Sequence, residues 1–95
     1  MDKETILKFC NNYISKSFEW NLTNQKIVKQ IIKDYLKENN ASEEFIQMYN
    51  TLYYGGQMSF DLHRMILHSC LNYFTLKYNI CYITDIKTST IIKFY

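Results

Sequence analysis

The chain has 95 residues, 47% of them hydrophobic, and a formal net charge of +2. That apolar fraction excludes a globally disordered chain. The weak charge falls short of a dedicated nucleic-acid domain, and no uncharged run of about 20 residues is present to span a bilayer. A single small α+β domain is therefore expected over residues 1–95, burying about 60–65% of the unfolded chain's surface.

Residue choice is skewed. Twelve isoleucines and nine tyrosines stand against one alanine, one valine, two glycines and no proline, with nine asparagines and ten lysines. These are residues of A/T-rich codons, which points to an AT-rich bacterium, its phages or its mobile elements. Cys10, Cys70 and Cys81 are odd in number and widely spaced, the pattern of reduced thiols in a cytosol. The start "MDKETILKFCNNY" lacks the basic and apolar segments of a signal peptide, so a cytoplasmic location is expected.

In chain order, helical spacing of Ile6, Phe9, Cys10, Tyr13 and Ile14 predicts a helix over 4–18. A second helix follows "SFEWNLTNQ", with Thr23 as N-cap and Leu22 stapled to Ile27, and runs to about Glu38. Asn40 or Ser42 caps a third, whose first turn carries Glu43 and Glu44. Phe45, Met48, Tyr49, Leu52 and Tyr53 form its expected buried stripe, and Gly55-Gly56 ends it. The fourth helix runs from near Ser59 to about Lys77 and is apolar over most of its circumference, as a central helix is. Its expected buried face is Leu62, Met65, Ile66, Cys70, Tyr73 and Phe74, with Leu67 and Leu71 further round. "ICYIT" and "TIIKFY" then read as an antiparallel hairpin. No Asn-Gly or Asp-Gly fixes its register.

This order of elements is similar to that of winged-helix modules, in which the helix before the wing enters the major groove. The fourth helix argues against that role. Its outward side offers only Arg64, His68, Asn72 and Thr75, with Leu71 among them, and a groove-reading helix needs a well-solvated polar face. The second helix holds a different candidate. Lys26, Lys29, Lys33 and Lys37 form one row opposite Ile27, Val28, Ile31, Ile32, Tyr35 and Leu36, long enough for two or three phosphates. The competing reading is a solvated face made of a good helix former.

Catalytic and metal chemistry is thin. His63 and His68, five residues apart, point away from each other on a helix, and Cys70 is too far along the axis to complete a site, so no metal or cofactor is expected. Apolar neighbours around all three cysteines favour inert thiols. The acidic pairs Asp2-Glu4 and Glu43-Glu44 sit at helix starts, where capping accounts for them. The Gly-Gly-Gln segment is no phosphate loop. The expectation is that the chain is not an enzyme.

The aromatic residues carry more. Nine tyrosines, six phenylalanines and Trp20 exceed what a domain of this size hides with every hydroxyl satisfied. Several must face solvent, where tyrosine suits interfaces and stacks on bases. Strict alternation along "TIIKFY" puts Ile92 and Phe94 on one face and Ile91 and Tyr95 on the other. Only one face can lie on the helices, so the other needs a cover. Tyr82, Ile91, Lys93 and Tyr95, with Tyr53 and Tyr54, are the expected partner-binding residues. The functional expectation is an interaction module, an accessory subunit or inhibitor from a phage or mobile element, docking a protein partner or a second copy on its hairpin. It would attach to a nucleic-acid-processing enzyme. The alternative is direct DNA or RNA binding through the lysine row and surface tyrosines.

Overall fold

The computed structural model describes residues 2–54 and 59–95, with Tyr53, Tyr54 and Phe60 described at the backbone only. Among these residues, α1 (Lys3–Ile14), α2 (Leu22–Glu38), α3 (Glu43–Tyr54) and α4 (Phe60–Lys77) precede an antiparallel pair, β1 (Tyr82–Thr84) and β2 (Ile91–Phe94). The expected α+β order is present. Gly55-Gly56, expected to end the third helix, lies outside the described residues.

Each helix starts where a short polar side chain takes a first-turn amide. Asp2 accepts from the Thr5 amide at 2.8 Å, Asn21 from Asn24 at 2.9 Å, Ser42 from Phe45 at 3.1 Å and Ser59 from Leu62 at 3.2 Å. The cap of α2 is thus Asn21, not Thr23. The shift has a cause: Asn24 is buried, accepting from Asn12 at 3.1 Å and donating to the Glu19 carbonyl at 2.6 Å, so its amide lies inside the first turn.

The ends of α2 and α4 are also closed by asparagine. Asn40 (φ 62°) and Asn79 (φ 53°) take the left-handed conformation usually given to glycine. The Ala41 amide then reaches the Leu36 carbonyl at 2.9 Å, and the Ile80 amide reaches Thr75 at 2.8 Å. The first helix stops at Ile14, short of the expected Phe18, because Ser15 is extended and its amide turns back to Asn12 at 3.1 Å. The freed segment folds Phe18 and Trp20 onto α1, with ring centroids 5.2 Å (Tyr13–Phe18) and 5.3 Å (Phe18–Trp20) apart.

The core lies where α4 crosses α2 and α1. Ile6, Phe9 and Cys10 of α1 meet Val28, Ile31 and Ile32 of α2 and Leu67, Cys70, Leu71 and Phe74 of α4. At the far end Lys77 and Tyr73 both bond the Glu38 carboxylate, tying α4 to the end of α2. Lys77 also lies 5.4 Å from the centre of the Tyr78 ring.

Two predicted faces are rotated. Among the described side chains of α3, Ile46 and Tyr49 are buried, while Phe45 and Met48 are exposed. On α4 the buried stripe is His63, Leu67, Cys70, Leu71 and Phe74, spaced three and four apart, while Leu62, Met65 and Leu76 face solvent. Leu71, which the sequence reading set at the margin of both faces, is core. A helix apolar nearly all round offers no contrast from which periodicity can choose a face.

Candidate interaction surface of the hairpin

The turn that the sequence leaves open is built by Asp85. Its carboxylate accepts from the Lys87 amide at 2.7 Å and the Thr88 amide at 3.3 Å, and its carbonyl from Ser89 at 2.8 Å. Ser89 supplies the positive φ of 57° that lets the chain return. Register then follows: Tyr82 pairs with Phe94, Ile83 with Lys93 and Thr84 with Ile91. Ile92 is left without an opposite residue, a bulge in β2.

That bulge overturns the alternation expected for "TIIKFY". Ile91 and Phe94 line the same cleft, although strict alternation sets them on opposite faces. The inner face of the hairpin is Tyr82, Ile91 and Phe94, with the Tyr82 and Phe94 rings 6.0 Å apart. The pairing of Ile83 with Lys93 and of Cys81 with Tyr95, the latter through two bonds of 2.9 Å, puts those four on the outer face. Ile83 and Tyr95 are 50% and 55% exposed. Tyr82 and Ile92 are also largely exposed, and Ile86 at the turn is 97% exposed.

A contact invisible to periodicity attaches this hairpin to the helices. The Asn11 side chain donates to the Phe94 carbonyl at 3.0 Å and accepts from the Phe94 amide at 2.8 Å. Its amide group pairs with β2 as a neighbouring strand would. The β2 edge is thereby taken by α1 at Phe94, and among the described residues the edge of β1 away from β2 has no strand beside it.

Between α1, α4 and the inner face lies a cleft of about 180 Å³. Cys10 and Leu71 are buried at its floor, Tyr13, Thr75 and Phe94 are half-buried in its walls, and His68, Asn72, Tyr82 and Ile91 stand exposed at its mouth. The Tyr13 hydroxyl meets His68 Nε2 at a long 3.4 Å.

The remaining predicted sites lie elsewhere. Lys26, Lys29 and Lys37 are exposed on the solvent side of α2, and Lys33 is half-buried there. The side chains of Tyr53 and Tyr54 lie outside the described residues. His63 is buried beside Tyr49, whose hydroxyl meets its Nδ1 at 3.3 Å, and desolvation lowers its pKa. Burial pushes the Cys10 thiol up to about 11 and the Cys70 thiol up to about 12. Cys81, by contrast, is exposed. Among the described residues no group of three or more His, Cys, Asp and Glu side chains could hold a metal ion, and no helix is long and apolar enough to cross a membrane.

The chain matches no protein-family model, no curated protein and no solved structure. Asn11 is the residue of this surface that sequence reasoning missed. Its only signal is position: it flanks the buried Cys10 on a helix whose other face already has a partner in the core.

Proposed function

We propose that the chain is a non-enzymatic interaction module that receives an extended segment of a partner protein on the open edge of β1 and the outer face of the hairpin. One observation carries this reading. A two-stranded sheet, marginal by itself, keeps Ile83 and Tyr95 about half exposed next to a β1 edge that has no further strand among the described residues. Strand addition fits such an edge: main-chain bonds supply affinity and alternate side chains supply selection. Lys93 on the same face favours a segment with an acidic residue among its apolar ones. An accessory subunit or inhibitor would use this surface on its target.

The test is the double substitution Ile83→Lys, Tyr95→Lys, which charges the outer face and leaves the cleft and the Asn11 contact in place. A partner captured by the wild type from a host extract under nuclease should be lost by the variant, with helical circular dichroism unchanged. Backbone amides of β1 should gain hydrogen-exchange protection in the complex. Capture that survives the substitutions would overturn the reading. A dimer in sedimentation that the same substitutions dissolve would make the occupant a second copy. Binding that disappears with nuclease favours the second reading, nucleic-acid contact through exposed Lys26, Lys29 and Lys37.

A further inference from the structure

We infer that the cleft between α1, α4 and the inner face of the hairpin is a binding site for a single-ring phenol. Size sets the class first. An apolar cavity of about 150 Å³ takes one benzene ring, whereas drug-sized ligands need about 300 Å³ or more. The cleft measures about 180 Å³. It is therefore of the size that admits one six-membered ring, and the lining decides what that ring carries.

The lining agrees with a ring carrying one polar group. Tyr13, Tyr82 and Phe94 offer aromatic edges and faces, and Leu71 with the Cys10 sulfur offers a soft apolar floor. Polar atoms stand on the α4 side, from His68, Asn72 and Thr75, one or two turns apart. The Tyr13–His68 contact at 3.4 Å is too long to be a strong bond. A ligand hydroxyl entering beside it gives both groups a shorter partner: the phenol O–H donates to one and its oxygen accepts from the other. An unsubstituted ring leaves that pair as it is. The assignment stands on the inner face and is independent of what docks on the outer one.

The experiment is a titration of isotopically labelled protein with p-cresol and, in parallel, toluene, followed by the amide shifts of Leu71, Asn72, Thr75 and Phe94. Saturable shifts confined to the cleft are expected, with p-cresol tighter by roughly fivefold, the factor one net hydrogen bond provides. Ile91→Trp and Asn72→Trp each fill the mouth from an exposed position, so at least one is expected to keep the fold. A folded filling variant should lose p-cresol affinity by roughly tenfold or more, a single ring having no other contacts to fall back on. His68→Ala should level p-cresol with toluene. Equal affinity for N-acetyl-tyrosinamide would mark the ring as one carried on a peptide, and weaker affinity would mark a free phenol; both keep the site. Shifts that do not saturate, that persist in the filled variants, or that toluene reproduces at equal affinity would overturn the assignment.

Discussion

Cys10 and Cys70 sit at 1% and 0% exposure with thiols pushed up to about 11 and 12, while Cys81 is exposed. The thiolate is the reacting form, so burial acts twice, on access and on ionisation. Alkylation at neutral pH should give one modified site in native protein, at Cys81, and three in urea; intact-mass spectrometry reads both. His63 gives a second prediction at this scale. Its pKa is lowered from 6.5 by desolvation, so in mild acid the unfolded chain binds a proton that the folded chain does not. The associated stability is fully present above pH 6.5 and is lost as pH falls from there through the folded pKa, by at most about 1.4 kcal/mol per pH unit. Asp2 and Glu38, whose pKa values are lowered by the Thr5 amide and by Lys77, lose their contribution only as pH falls from the ordinary carboxylate values toward their lowered ones, below this window. Urea midpoints between pH 7 and 5 should therefore fall in wild type and flatten in His63→Gln. An unchanged slope in that variant would remove His63 from the account.

Among the elements, the hairpin is held to the helices by the packing of Ile80 and Phe94 and by the Asn11 side chain, which bonds the Phe94 backbone twice. Asn11→Ala deletes two hydrogen bonds to Phe94 and should cost about 1–3 kcal/mol, taking each bond at its usual net worth. Exchange of the Phe94 amide should accelerate by a larger factor than that of core amides in α4. Helix existence and order were legible in the sequence because caps and periodicity are local signals: Asp2, Ser42 and Ser59 stand where the chain must begin a turn. What was not legible has equally physical causes. Phe45, Met48, Leu62 and Met65 lie on helices with apolar residues on several sides, where tertiary packing alone picks the face. The bulge at Ile92 inverts the following side chains, and nothing in "TIIKFY" marks it. The pairing of Asn11 with Phe94 joins residues 83 apart in sequence, beyond the reach of any window.

At the scale of the whole molecule, the second reading of function becomes a question of charge. Changing Lys26, Lys29, Lys33 and Lys37 to glutamine lowers the net charge from +2 to −2. If the row serves only solvation, stability should move by a few tenths of a kcal/mol per residue at most, and capture of a protein partner should be unaffected. That is the expected outcome. If it contacts phosphates, affinity for DNA or RNA of any sequence should fall by roughly 0.7–0.9 log units per contact for each decade of salt, and the quadruple variant should lose it. Fluorescence anisotropy at two salt concentrations separates the cases.

The Asn11 contact also sets how far assembly through the sheet can proceed. A strand with two open edges joins copies end to end without limit, the geometry of fibres. Here α1 occupies the β2 edge at Phe94 through Asn11, which leaves an arriving strand the β1 edge to join. Two chains meeting edge to edge about a two-fold axis would consume both free edges and stop at four strands. Releasing Asn11 would reopen the second edge and turn a self-terminating surface into a propagating one, so Asn11→Ala should aggregate with β-rich signatures at concentrations where the wild type stays dispersed.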